Sequence, residues 1–220
     1  MALSQAALCE LAAVKTALGI AVSTYDTTLE RLIEVASARI NRYCNRTFHR
    51  ADEISEYVAA YGLTHLLVSR PPILTIDWVK FDGVTVDSSA YECYSEHAQQ
   101  GVIHNSGGWT WTCAGLDNID ASSMPGTEQL LYQVQYDGGY VTANQVTLTT
   151  FATRTLPYEI EQAAIDFAAL MYHRQGDDPR IQSESVDGAS VSYSVTGQLS
   201  MDMPDYIRVP LTAYRLVPQS

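Results

Sequence analysis

The chain has 220 residues, 46% hydrophobic and 17% charged, which is enough apolar material for a real core and argues against wholesale disorder. Lys and Arg number 13 against 25 Asp and Glu, a formal charge of −12 at pH 7. So acidic a chain is a poor candidate for gripping nucleic acid by its phosphates or for lying on anionic lipid, because both need clustered cations.

Residues 3–18 carry a first helical pattern with Leu8, Leu11, Ala12, Lys15 and Leu18, and Gly19 is its expected stop. Met1 to Val22 superficially resembles a leader. Glu10 and Lys15 interrupt its apolar stretch and no basic segment precedes it, so an amphipathic helix is expected. Asp26, Thr27 and Thr28 offer N-cap chemistry for a stronger second helix. Its apolar set, Leu29, Leu32, Ile33, Ala36, Ile40 and Tyr43, forms one stripe.

From about residue 51 the period changes to two. Strands are expected at Ser55–Val58, Thr64–Val68 and Ile73–Phe81, with Ile76, Trp78 and Val79 as inward candidates in the last. Asp82-Gly83 between apolar runs predicts a tight hairpin. Further short strands are expected at Tyr91–Tyr94, Gly101–His104 and Leu130–Tyr136, with a long loop over Asn105–Gly126 and a turn at Asp137–Tyr140. Helical spacing returns after Pro157, placed for N1, with Ile160, Ala163, Ala164, Phe167, Leu170 and Met171 on one face. Gly176 to Pro179 stops it, Ser190–Val195 alternates like a strand arm, and Pro204-Asp205 opens a last helix to about Leu216. Ile207, Leu211 and Tyr214 share a face there, and Pro210 predicts a kink or a later start. No run of about 18 apolar residues is present to span a bilayer. The expected class is α+β: a small α-helical bundle with an inserted antiparallel β domain, an extended arm and a short C-terminal helix.

The search for chemistry returns no active site. There is no nucleophile elbow, P-loop or dinucleotide fingerprint. The five histidines (His49, His65, His97, His104, His173) are scattered, and His97 and His104 with Cys93 match no zinc spacing. Cys9 and Cys44 fall on apolar faces, a Cys93–Cys113 disulfide is left open, and a reduced protein is the simpler reading. Glu92 with Glu96 reads as a solvated pair, Asp177-Asp178 before Pro179 as a helix-exit turn, and Asp117 to Asp120 lacks the rest of a calcium loop. Trp109 and Trp111 fit a hydrophobic anchor better than a stacking platform. No catalytic residue, cofactor or metal is expected.

The order of these pieces resembles the head–tail connector, or adaptor, family of tailed bacteriophages (gp6-like or gp15-like). Leu29 to Ser37 with Ile40, Tyr43 to Arg46 and Phe48 is similar to its first long helix and exit. Arg70-Pro71-Pro72-Ile73 to Asp82-Gly83 resembles its first hairpin, and Tyr136, Gly139 and Tyr140 the end of its β insertion. Leu156-Pro157 through Tyr172 resembles its third helix. Ser183 to Tyr193 resembles its arm, with Asp187-Gly188 where a Gly-Asp pair is usual. The Asn105–Gly126 insertion and Pro210 depart from the pattern.

The resemblance implies a virion protein that is made in the host cytoplasm and is not an enzyme. It implies a ring of copies, usually twelve, beneath the portal protein. Such a ring completes the DNA channel used in genome packaging and ejection and receives a downstream neck or tail protein. Genomic DNA would pass through without sequence-specific binding, and no membrane is involved. The organisation expected is N-terminal helices over 1–50, an inserted β domain over 51–150, a third helix over 151–176, an arm over 177–200 and a portal-docking segment over 201–220. Tyr206, Ile207, Leu211, Tyr214 and Leu216 are the expected portal contacts, with packing inside their own subunit weighed beside it. Glu184, Val191 and Tyr193 are the expected contacts between subunits. Two alternatives stand beside this reading: a stopper or tail terminator, which would be mostly β, and a β-rich glycan-binding or hydrolytic domain with Trp109 and Trp111 as its platform.

Overall fold

The computed structural model describes residues 3–110, 132–149, 151–176, 183–186, 189–192 and 203–216. In chain order the elements are α1 (Leu11–Leu18), α2 (Asp26–Cys44), β1 (Ala51–Val58), β2 (His65–Leu67), β3 (Ile73–Phe81), β4 (Val84–Thr85), α3 (Ser95–Gln100), β5 (Val102–His104) and β6 (Tyr132–Gly138). They continue with α4 (Ala143–Leu148), α5 (Tyr158–His173), β7 (Ser183–Val186), β8 (Ala189–Ser192) and α6 (Asp205–Leu211). The class is α+β, as the change of period predicts.

The helices bury one another. Leu29, Leu32, Ile33, Ala36 and Ile40 of α2 meet Ile160, Ala163, Ala164, Phe167 and Met171 of α5 in one aliphatic core, which Ile207 and Leu211 of α6 complete. The predicted stripes of both long helices are therefore core stripes. Three details differ from the sequence expectation. Helix α1 starts at Leu11 rather than residue 3, because α2 side chains hold the preceding segment. The Leu8 amide donates to Ser37 Oγ at 3.0 Å, and the Ser4 amide to Glu34 Oε1 at 2.6 Å. Asp26 does not cap α2; it sits in the first turn, where it favours the helix dipole, and pairs with Lys15 Nζ at 2.6 Å. Pro157 takes the N-cap of α5 rather than N1.

The main sheet is antiparallel in the order β1-β6-β3-β4. Asp82 and Gly83 take φ of 50° and 75°, so the tight β3–β4 turn forms as the Asp-Gly pair predicts. Strand β3 has the predicted bounds, but its register slips between Ile76 and Trp78. Asp77 is the extra residue of that bulge, and alternation restarts behind it. Val79 is therefore fully buried, while Trp78 is half-buried with Lys80 Nζ 3.9 Å above its ring. Strands β2 and β5 form a separate ribbon covered by α3, which begins just after the Tyr91–Tyr94 stretch expected as a strand. Glu92 keeps a single bridge to His104.

Two glycines and one short helix join the bundle to the sheet. A Cβ on Gly138 would lie 2.4 Å from Arg70 O, and one on Gly139, at φ 96°, 2.5 Å from His49 O. Gly-Gly is needed here because two backbones pass at contact distance. Arg46, almost fully buried, lays its guanidinium over the rings of Phe48 and Tyr140 at 4.8 and 5.6 Å and donates to Pro71 O. Helix α4 begins with a Thr142–Gln145 capping box. The same Gln145 donates to Arg50 O at 2.8 Å, and Asn144 donates to Cys9 O at 2.8 Å. One turn of helix thus fastens β1 to the segment before α1.

Candidate functional site

Three regions carried expectations of function: the tryptophans and titratable groups, the arm, and the C-terminal segment. Trp109 is a core residue. Its Nε1 donates to Ile103 O at 3.3 Å, and its ring meets Tyr132 edge-on with centroids 5.1 Å apart. It offers no face to a sugar; Trp111 lies outside the described residues. Cys93 carries a free thiol facing Val102 O, and Cys113 also lies outside the described residues. Burial pushes the Cys9 thiol up to about 12 and the Cys44 thiol up to about 11, so both are protonated hydrophobes at pH 7.

In the arm, β7 and β8 pair with each other as a two-stranded sheet, and with no other strand among the described residues. Glu184 stands opposite Val191 in that register, so two of the expected inter-subunit residues sit at one level of the ribbon. Tyr193, with Asp187 and Gly188, lies outside the described residues.

The C-terminal segment divides by helical phase. Ile207 and Leu211, four apart, are buried in their own bundle and cannot reach another protein without leaving it. Removing both from water is worth about 1.5–3 kcal/mol each, which is reason enough for the segment to fold back. A short 3-10 turn, Thr212–Tyr214, continues α6 past Pro210, which sits inside the helix and removes the amide that would bond back to Tyr206 O. Tyr214 donates to Glu159 Oε2 at 2.9 Å and meets Phe48 edge-on, and the Leu216 amide donates to Cys44 O at 2.9 Å. Burial and the Glu159 carboxylate push the Tyr214 phenol up to about 12, so it remains a donor. Of the five expected portal contacts, Tyr206 is the one turned fully outward, at 62% exposure.

Beside Tyr206, one helical turn on, are Val209 at 65% exposure and Pro210. Tyr158, 79% exposed at the start of α5, lines a shallow groove together with Tyr206 and Pro210, which Glu159, Gln162 and Asp166 rim. Arg154 stacks on the Tyr158 ring at 3.9 Å and pairs with Glu161 at 2.7 Å, so that ring is held rather than free to collapse. The result is an outward aromatic and aliphatic face edged by carboxylates. Sequence reasoning did not single out Tyr158 or Val209. The signal was present for Val209: if Ile207 and Leu211 face the core, positions 206, 209 and 210 face away.

Comparison with known proteins bears on the same segments. Residues 9–63 match the family model described as phage gp6-like head-tail connector protein. They cover α1, α2, β1 and the chain between them, and of the pieces that carried the sequence resemblance they include the first, Leu29 to Phe48. No curated protein matches. A chain of the neck of an empty gene transfer agent (GTA) particle superimposes with a TM-score of 0.55 at 13% identity, covering all of this chain and 95% of that one. A chain of the virion of a native GTA particle superimposes with a TM-score of 0.56 at 14% identity, with the same coverage. Both superpositions span the whole of this chain.

Proposed function

We propose that this chain, whose residues 9–63 carry the gp6-like head–tail connector pattern, is a structural neck protein of a virion and not an enzyme. The observation that carries the reading is the coincidence of that match with a fold shared over its whole length with neck and virion chains of GTA particles. Copies of the chain form a ring, twelve by the resemblance, seated beneath the portal and open to the passing genome. The outward face of α6, Tyr206 with Val209 and Pro210, docks on the portal; Ile207 and Leu211 hold that helix to its own bundle. A two-stranded ribbon alone in water is marginal. The β7–β8 arm therefore closes against a neighbouring copy, with Glu184, Val191 and Tyr193 at the contact.

The charge fits a conduit. Twelve copies at −12 carry about −144 formal charges before bound cations, and DNA presents a charge of the same sign every ~1.7 Å. A wall of like sign lets DNA slide without adhering. The opposite face of the ring receives the next neck or tail protein. Electron microscopy of lysates from a phage carrying a nonsense codon in this gene tests the reading. Heads without tails, some emptied of DNA, are the expected product; normal tailed particles would overturn it.

A further inference from the structure

The groove between α5 and α6 has an apolar floor, aromatic walls and a rim whose charge is not balanced. Ala163 and Ile207, both buried, line its floor, and Tyr158, Tyr206 and Pro210 stand around it. Its volume is about 490 Å³, the size of a binding site rather than of a packing gap. Glu159, Gln162 and Asp166 follow one line along α5, at positions i, i+3 and i+7. The two carboxylates are thereby about 10 Å apart along the helix axis.

Two neighbouring carboxylates have cations of their own. Glu161 pairs with Arg154 at 2.7 Å, and Asp205, next to Tyr206 in the chain, pairs with Arg208. Glu159 and Asp166 differ. Glu159 accepts from the Tyr214 hydroxyl at 2.9 Å, and Asp166 from the Gln162 side-chain amide at 2.8 Å. Both donors are neutral, so neither negative charge is offset there. A wholly apolar segment laid over the groove would strip water from these carboxylates and return nothing, which costs free energy. A second copy of this chain, at −12, would meet the rim with like charge. A cation between apolar side chains meets both demands. The rings favour the same partner. Arg154 already stacks its guanidinium on Tyr158 at 3.9 Å, and the exposed ring of Tyr206 offers another face of that kind.

Resting on the reading that the outward face of α6 docks on the portal, we infer that the groove takes an apolar segment of that partner which carries arginine. The segment lies along α5. Its guanidinium groups reach Glu159 and Asp166, and its apolar side chains sit between Tyr158 and Tyr206. Arginine suits the site better than lysine, because a planar guanidinium stacks on a ring and bonds a carboxylate at the same time. The carboxylates give the contact its specificity, and the rings and Pro210 give it area.

The test measures binding of the full chain to the purified portal protein of the same phage. Asp166→Lys reverses one rim charge, and Gln162→Lys supplies an internal cation to Asp166 four residues on. Each should weaken binding by at least about tenfold, with circular dichroism unaltered, and the difference should shrink as salt rises from about 50 to about 500 mM. Glu96→Lys, an exposed change of the same size on α3, should leave the affinity as it is. Equal weakening by Glu96→Lys would mean bulk charge rather than this rim, and would overturn the inference. So would unchanged affinity in Asp166→Lys and Gln162→Lys while Tyr206→Ser with Val209→Ser abolishes binding; docking on α6 would then stand with an uncharged occupant. Affinity unchanged in all of these variants, or no binding by the parent chain, would overturn the docking reading as well.

Discussion

The helical bundle and the inserted sheet bury comparable residues by different means. The bundle core is Leu8, Leu29, Ile33, Ile40, Ile160, Phe167, Ile207 and Leu211, side chains with no polar atom to satisfy. The sheet core includes Tyr132 and Tyr136, each with a hydroxyl that must find a partner inside. Tyr132 Oη accepts the Thr110 amide at 3.0 Å. Tyr136 donates to Glu56 Oε1 at 2.9 Å and accepts the Arg70 amide at 3.1 Å. Burial, then the nearby Glu56 charge, hold that phenol far above its ordinary pKa, so it stays a donor. One region depends on filled volume; the other depends on volume and on closed hydrogen bonds.

Phe167→Ala should give the largest effect that this contrast predicts. Phe167 is 1% exposed in the core that α2 and α5 share, with Arg39 over its ring. A loss of about 3–5 kcal/mol is expected by denaturant titration of the isolated chain. A loss near 1 kcal/mol would mean that the bundle relaxes and is not volume-limited. Tyr136→Phe keeps the volume and removes the hydroxyl, leaving the Arg70 amide without that acceptor. A loss of about 1–3 kcal/mol is expected. Should the variant prove as stable as the parent, the sheet core would be no different in kind from the bundle.

Acid should act at the seam. Burial first, and the Arg70 charge second, push the His49 imidazole down to about 4. The unfolded chain takes up this proton below its ordinary value of about 6.5, whereas the folded chain resists until about 4. The stability His49 contributes is therefore complete above that upper value and is lost as pH falls through the window. Denaturation midpoints measured from pH 7 to pH 4 should fall more steeply in the parent than in His49→Leu. Parallel curves would show that the seam is open to water.

The same contrast explains what was legible in the sequence. The stripes of α2 and α5 repeat without interruption, so the 3.6-residue period reports their inner faces directly. Alternation in β3 was read as continuous through Ile76 and Trp78, but the bulge at Asp77 restarts it and buries Val79. No local signal announces a bulge that pairing with β6 imposes. Helices α3 and α4 were missed because six residues are too few to show a period. The Thr142-x-x-Gln145 box was nonetheless present to be read. The Gly138-Gly139 close approach depends on which segments become neighbours, and a one-dimensional pattern does not contain that.

The smallest effect on stability should carry the largest effect on assembly, and it lies on α6. Leu211→Ala opens a fully buried site and should cost about 2–5 kcal/mol, with particles failing because the subunit fails. Tyr206→Ser with Val209→Ser changes two side chains that are more than 60% exposed, and should move stability by no more than about 0.5 kcal/mol each. If the outward face is the docking surface, the double variant folds normally, yet heads from its lysates lack tails and the purified chain no longer binds portal. If tails form as usual while Leu211→Ala alone abolishes them, α6 is merely the last piece of the bundle. On the proposed neck role, the docking surface would then lie elsewhere on the chain. The two faces of one short helix thus separate a folding role from a docking role, because a residue buried in its own core and a residue offered to a partner cannot fail in the same way.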